Sequence, residues 1–317
     1  VKTSEGFMYE VDTKLRPSGK EGPVACTYDN FKEFHEKNSF SWENKVVAIT
    51  GGGNGIGMAI AKAAKGLGAK VAISDINEQD LNKAKELNGF YTSLSDAGKE
   101  SDILSFIKNT EENLGPIDIF FANAGVARSG TLDTADEDWD ISYRVNVMHH
   151  VWAARAVIPS MRKRKDCRFI TTASAAGLLS EINSASYSLT KHAAVGFAEW
   201  MSIVYGKDDK DGNAVTISCL CPQGVNTAMT ANMDNGGVAG IDGMLNPSDV
   251  AKVVINTVSE GGFLILPHPV VGEYIKFKTS DIWKEKFLKQ TIANAHHGLK
   301  TGKYLALNVA NTKQYKT

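Results

Sequence analysis

The chain has 317 residues, 43% of them hydrophobic and 22% charged, with a formal net charge of −1. That length fits one large α/β domain with extensions or two small domains, and the composition excludes bulk disorder. A near-neutral chain has no field to draw nucleic acid or an anionic membrane, and no run of about 20 apolar residues is present to span a bilayer.

Residues 1–44 are polar, mixed in charge and carry Pro17 and Pro23. Acids there, among them Glu5, Glu10, Asp12 and Glu21, argue against a transit peptide, and no apolar core marks a signal peptide. Yet the segment holds Phe7, Met8, Tyr9, Val11, Phe31, Phe34 and Phe40, with Phe31 and Phe34 at i, i+3. Disordered segments are poor in aromatics, so this N-terminal extension is expected to pack on a surface, of its own core or of a neighbouring subunit.

From about Lys45 to His268 two textures alternate. The apolar runs KVVAIT, KVAIS, IDIFFANAG, CRFITTAS, AVTISCLCP and GFLILP read as strands. Between several of them lie segments of helical spacing, such as IGMAIAKAAKGLG and WDISYRVNVMHHVWAARAVIPSMRKR. The pattern predicts βαβ units, a parallel sheet covered on both faces, and a doubly wound α/β domain over 45–270.

KVVAIT runs into Thr50-Gly51-Gly52-Gly53-Asn54-Gly55-Ile56-Gly57, and a helix is expected to start near Ile56. A helix N-terminus presents free N–H groups and the positive end of its dipole, which suit a pyrophosphate, and glycines let the backbone approach it. Asp75 ends the next strand about 20 residues on, where a carboxylate accepts hydrogen bonds from a ribose and repels a 2′-phosphate. Ile76 and Asn77 follow it rather than a basic residue, which favours NAD over NADP. The other reading makes Asp75 only the cap of the following helix, INEQDLNKAKEL.

Further along, His149 and His150 read as surface or interface residues, with no acid or cysteine spaced to share a metal, so no metal site is expected. The basic run from Arg162 reads as a solvated cap on its helix C-terminus. FITTAS ends near Ser174, and SASYSLTKHAAVGF carries Tyr187 and Lys191 at i, i+4, on one face of a helix. A nearby ammonium stabilises a phenolate, which makes such a tyrosine a general acid/base. Cys219 and Cys221, at i, i+2, are expected to share one strand face. Together with Cys26 and Cys167 they form neither a zinc spacing nor a disulfide framework, so reduced thiols and a cytoplasmic setting are expected. The segment 228–246, with its glycines and Met229, Met233 and Met244, reads either as a lid over a moderately apolar substrate or as an ordinary surface loop. Leu178, Leu179 and Ile182 are candidates for the same pocket. Beyond residue 270, SDIWKEKFLKQTIANAHH is the one expected helix before a lysine-rich end.

Taken together, residues from about Lys45 to Pro269 resemble the single-domain branch of the short-chain dehydrogenase/reductase family. Thr50 to Gly57 match its cofactor loop, Ala122-Asn123-Ala124-Gly125 its N-N-A-G element, and Asn146 its active asparagine. Ser174, Tyr187 and Lys191 match its remaining active residues. Pro222-Gln223-Gly224-Val225-Asn226-Thr227 match its P-G-x-V-x-T segment, with Gln223 in place of glycine. The resemblance implies a Rossmann fold in three α/β/α layers and an oxidoreductase acting between NAD(H) and a secondary alcohol or ketone. It implies cofactor contacts from Gly51, Asn54, Gly55, Ile56, Gly57, Asp75, Asn123, Gly125, Pro222, Val225 and Thr227, with Leu94, beside Ser93, standing at the adenine. Ser174 would orient the substrate oxygen and Tyr187 would exchange the proton. Lys191 would lower the tyrosine pKa and hold the ribose, and Asn146 would hold a water linking Lys191 to solvent. A homodimer or homotetramer is implied through the helices bearing Asn146 and Tyr187. Imine reduction, epimerisation, or NAD binding without turnover remain open on the same scaffold.

Overall fold

The first strand, β1 (Val46–Thr50), is buried at every position, as a strand covered on both faces requires. The computed structural model, which describes residues 40–206, 214–232 and 234–280, places this strand inside a seven-stranded sheet. The others are β2 (Lys70–Asp75), β3 (Tyr91–Leu94), β4 (Ile119–Ala122), β5 (Cys167–Thr172), β6 (Val215–Leu220) and β7 (Leu264–Ile265). Their order is β3-β2-β1-β4-β5-β6-β7, and every pairing is parallel. The order reverses between β1 and β4, and in such sheets a ligand crevice opens at the strands' carboxyl ends at that point.

Helices α1 (Gly55–Gly66), α2 (Glu78–Asn88) and α7 (Pro247–Glu260) cover one face. They bring Ile60, Leu81 and Val254 onto Ile49 and Ile73. On the other face lie α3 (Glu100–Leu114), α5 (His149–Met161) and α6 (Ala185–Tyr205), with Phe106, Trp152 and Met201 packed about Phe120 and Phe169. The rings of Phe120 and Phe169 stack with centroids 5.6 Å apart. A short helix α4 (Asp136–Tyr143) runs through a π-helical turn, Arg144–Met148, into α5. The expected three-layer Rossmann architecture is therefore present.

Several local expectations need correction. The compact unit begins at Phe40 rather than Lys45. Trp42 is buried and its indole Nε1 donates to Ser259 Oγ at 2.8 Å, while Phe40 lies under the Arg168 guanidinium, 3.8 Å from ring centroid to Cζ. At the other end a helix absent from the sequence reading, α8 (Val270–Thr279), buries Val271 and Tyr274. The remaining aromatics of residues 1–39 and the helix expected after Ser280 lie outside the described residues. The basic run after α5 is not simply solvated: Arg164 bonds Asp118 Oδ1 and the Ile117 carbonyl, both at 2.5 Å. Asp118 in turn accepts the Val46 N–H at 2.9 Å, so this arginine helps hold β4 beside β1.

Cys219 and Cys221 do share a face, with sulfurs 3.7 Å apart and both side chains fully buried; the bond length of a disulfide is about 2.05 Å, so both are thiols. Among the described residues no helix is long and apolar enough to cross a membrane.

Candidate active site

After β1 the chain must turn sharply to enter α1. Gly51 takes a left-handed φ of +62°, and a Cβ there would stand 2.8 Å from the Ala124 Cα. At Gly57 a Cβ would meet the Gly51 carbonyl oxygen at 2.2 Å, so a glycine is what lets α1 close onto the loop. Asn54 caps α1, accepting the Gly55 N–H at 2.6 Å, and no acidic residue occupies the helix's first turn. The positive helix end stays uncompensated by the chain, which is the requirement for holding an anion.

Asp75 faces this loop. Its Oδ2 accepts the Gly53 N–H at 2.9 Å and its Oδ1 the Asn77 N–H at 3.0 Å. The cap of α2 is Asn77, which accepts from Gln79 and Asp80, so capping is not the task of Asp75. The carboxylate borders the crevice with lone pairs left for an incoming hydroxyl.

A cavity of about 1220 Å³ opens at the carboxyl ends of the strands. Of the anticipated cofactor contacts, Gly51, Asn54, Gly55, Ile56, Gly57, Asp75, Asn123, Gly125, Pro222, Val225 and Thr227 all line it, as do Ser174, Tyr187 and Lys191. Leu94 does not. It points outward and is 60% exposed, while Ser95, Asp96 and Ala97 form that wall. The reason is the length of the pairing: Ser95 N still bonds the Asp75 carbonyl, at 2.9 Å, so the chain turns into the crevice one residue later. Asp96 Oδ1 then accepts the Gly98 N–H at 2.8 Å and shapes the turn.

Beneath the loop lies a buried polar knot. Thr50 Oγ1 accepts the N–H groups of Asn123 at 3.0 Å and Ala124 at 3.2 Å, and the Asn123 amide returns to the carbonyls of Thr50 and Gly51. The knot is closed by His149, whose Nε2 lies 2.8 Å from Thr50 Oγ1 and whose Nδ1 lies 3.1 Å from the Val145 carbonyl. Nδ1 is therefore the donor and Nε2 the acceptor of the threonine proton. Both His149 and His150 are fully buried rather than on the surface, and burial pulls the His149 pKa down to about 4, which keeps its ring neutral.

Ser184 caps α6 by accepting the Tyr187 N–H at 3.2 Å, and its own hydroxyl donates to the Arg128 carbonyl. This fixes Tyr187 in the first turn and puts Lys191 one turn later, with Nζ 5.5 Å from the Tyr187 ring centroid and donating to the Thr172 carbonyl at 3.0 Å. Ser174 accepts the Ala176 N–H at 3.1 Å. Burial pulls the Lys191 ammonium down to about 8. Burial also outweighs the neighbouring cation invoked from sequence: the Tyr187 phenol is held above its ordinary value, with the Ser174 hydroxyl pulling the other way.

Asn146 sits in the π-helical turn, fully buried. Its Oδ1 accepts the Val126 N–H at 2.9 Å, and its amide donates to the Val126 carbonyl at 2.9 Å and to Thr190 Oγ1 at 3.1 Å. The side chain is a clamp between the loop after β4 and α6.

Over the other end of the cavity, the segment after Thr227 folds into a short turn of helix, Asp234–Gly240. Met229 lines the cavity, but Met244 packs inward, its sulfur filling the space where a Cβ on Gly224 or Gly236 would stand. Met233 lies outside the described residues. Leu179 lines the cavity; Leu178 packs against a small core cluster instead, and Ile182 is not on the wall. Gln223 reaches the same segment, its Nε2 donating to Asp242 Oδ2 at 2.8 Å, and Tyr274 OH donates to Asp242 Oδ1 at 2.9 Å.

Residues that the sequence reading did not place in the site also join it. Asp96 and Glu181 line the cavity, and His149 supports it. An apolar helix face running through VNVMHHVW was the available signal for His149. Glu181 gave none, because an acid in a polar loop is ordinary.

Residues 45–236 match the family model for short chain dehydrogenase. A second model, for glutamate-ammonia ligase adenylyltransferase, matches residues 1–49. Estradiol 17-beta-dehydrogenase 11 of Homo sapiens is 31% identical over 245 residues, covering 75% of this chain and 78% of that protein. Oxidoreductase UcpA of Escherichia coli (strain K12) is 31% identical over 245 residues, covering 75% of this chain and 88% of that protein. Among solved structures, a short chain dehydrogenase/reductase from Burkholderia phymatum in complex with NAD superposes with a TM-score of 0.68 at 28% identity, over 77% of this chain and 95% of that one. The glycine turn at the switch point, the loop-bound Asp75 and the Ser174, Tyr187 and Lys191 wall thus stand in a chain that belongs to the short-chain dehydrogenase/reductase family of oxidoreductases.

Proposed function

We propose that the protein is an NAD-dependent enzyme that interconverts a moderately apolar secondary alcohol and its ketone, with Tyr187 as general acid/base. The observation that carries this reading is the shared cavity: the open end of α1, Asp75 and the Ser174–Tyr187–Lys191 group all face it. Single small-molecule sites run to about 1000 Å³, so this space suits a dinucleotide together with a second molecule. The chain fits the cofactor, with glycines where a Cβ would collide, an uncompensated helix N-terminus, and a carboxylate without a basic neighbour at the ribose end.

When bound, the nicotinamide supplies the hydride chemistry. The residues supply the rest. Ser174 turns its hydroxyl to the substrate oxygen beside the Tyr187 phenol, since its bond to the Pro222 carbonyl is long, at 3.4 Å. Tyr187 gives its proton to that oxygen in ketone reduction and takes it back in alcohol oxidation. A phenol held above its ordinary value stays protonated through neutrality, so alcohol oxidation is expected to quicken with pH into the alkaline range. Lys191 places a positive group under the phenol and beside the ribose position. Subunit association is proposed through the outer face of α6, which leaves Leu189, Trp200, Ile203 and Val204 exposed to a second copy.

A panel of secondary alcohols with NAD, followed by absorbance of the reduced nicotinamide, tests the reading. Turnover of any supports it; NAD binding with no turnover of any alcohol or ketone overturns it.

A further inference from the structure

Glu181 stands out in the substrate half of the cavity. The same cavity is lined by the apolar side chains of Val126, Leu179, Met229, Val238 and Ile241, and by Ser180, Asn183 and Ser184 close to the acid in sequence. Its backbone is fixed: Ser188 Oγ accepts the Glu181 N–H at 2.7 Å and donates to the Glu181 carbonyl at 2.8 Å. Ser188 follows Tyr187 directly, so the acid has a set station relative to the phenol. Its charge is close enough to bear on that phenol.

The carboxylate has no ion-pair partner among the described residues. Its Oε1 accepts the Asn183 N–H at 3.1 Å and the carboxylate also takes the Ile182 N–H; burial raises its pKa, with these two bonds pulling the other way. Lys278 of α8 reaches the same loop, but its ammonium goes to the Leu178 and Leu179 carbonyls at 2.7 and 3.4 Å. Capping that turn needs only a neutral acceptor. Two backbone donors leave further lone pairs of this half-buried carboxylate open to the cavity, where a buried charge gains from another donor.

We propose that Glu181 is a specificity-determining residue, accepting a hydrogen bond from a donor on the substrate, a hydroxyl or an ammonium, carried across an apolar body from the reacting carbon. This rests on the oxidoreductase reading above and narrows it. It selects substrates with a remote donor and rejects those with a remote carboxylate, which would meet like charge.

The test uses cyclohexanols that carry a methyl, hydroxymethyl, aminomethyl or carboxyl group opposite the carbinol, with kcat/KM measured in the full chain with NAD. The wild type is expected to favour the hydroxymethyl or aminomethyl compound over the carboxyl compound by at least ~10-fold, about 1.4 kcal/mol. Glu181→Gln keeps a carbonyl for the Asn183 N–H. It is expected to retain a preference for a hydroxyl but to lose one for an ammonium, which separates the two donors. Glu181→Lys is expected to invert the order toward the carboxyl compound. If that variant fails to fold, the loss of discrimination against the carboxyl compound in Glu181→Gln decides. Turnover with the same ranking in wild type and Glu181→Gln overturns this inference alone. No turnover of any of the alcohols overturns the oxidoreductase reading, and this inference falls with it.

Discussion

At the cofactor end of the cavity, beside β1 and β2, the walls are largely backbone, and each piece is held by several others. Gly53 is bonded to Asp75, Asn123 to Thr50 and Gly51, and Thr50 to His149. At the substrate end the walls are side chains, and the covering segment is held by bonds from Gln223 and Tyr274 to one exposed acid, Asp242, and by backbone bonds of Leu245 with Gly224 and Asn226. A backbone site recognises what every dinucleotide has in common, phosphates and ribose. A side-chain site is free to change its ligand by substitution without disturbing the turn beneath it. The difference teaches that shape and cofactor are over-determined here, whereas the choice of substrate rests on a handful of contacts.

The contrast can be broken where the two ends meet. Tyr187→Phe removes the proposed proton-transfer group and keeps the ring, so kcat is expected to fall by about 100-fold or more while NAD affinity, measured by calorimetry, barely moves. Near-normal turnover would mean that another group exchanges the proton.

Next in size is an acid effect on the cofactor end. His149 has a pKa of about 4 in the fold against about 6.5 in the unfolded chain. The unfolded chain therefore binds a proton that the fold refuses between those values, so stability is full above pH 6.5 and is lost as pH falls toward 4. The loss from this one group is about 3 kcal/mol, and His150, lowered for the same reason of burial, adds to it. Urea titrations at pH 7 and pH 4.5 are expected to show the drop, and His149→Gln is expected to shrink it. An equal drop in both proteins would remove His149 from the account.

Asp75→Ser sharpens the comparison from the ligand's side. The wild type is expected to bind NAD at least ~10-fold better than NADP, because a 2′-phosphate would face the carboxylate, and the serine variant is expected to narrow that gap. Equal affinities in the wild type would show that Asp75 serves only the loop. The smallest effect belongs to the covering segment. Asp242→Ala releases Gln223 and Tyr274, and KM for the substrate is expected to rise about threefold with NAD affinity unchanged, the worth of a modest hydrogen bond. A matching loss of NAD affinity would mean that the two ends are not separately built.

Legibility in the sequence followed the same divide. The glycine loop could be read because its residues answer to backbone collisions, as the 2.2 Å approach at Gly57 shows, and collisions leave a spacing. Ser174, Tyr187 and Lys191 could be read because a helical turn and a strand end dictate their separation. Leu94 was misplaced because which side chain turns inward depends on where the pairing with β2 stops, and no residue type marks that point. The partner that fixes the buried His149 ring is Thr50, 99 positions away, which no local pattern reveals. Phe40 and Trp42 looked like part of a polar extension because their partners, Arg168 and Ser259, lie more than a hundred positions along the chain. The effect of Lys191 on Tyr187 was misjudged for a related reason: spacing shows that two groups meet, but not how much water leaves when they do.

The thiol pair at the end of β6 gives the molecule a clock. Cys219 and Cys221 are sealed from solvent, and their mutual hydrogen bond, followed by burial, holds the Cys219 thiol in its protonated, unreactive form. A thiol-alkylating reagent can reach them only while the strand is out of the sheet. Their labelling rate therefore counts openings of the strand that runs beneath Lys191, from inside the catalytic layer and with no probe attached. Any ligand that settles in the cavity above will slow that count by its own binding energy for the closed form.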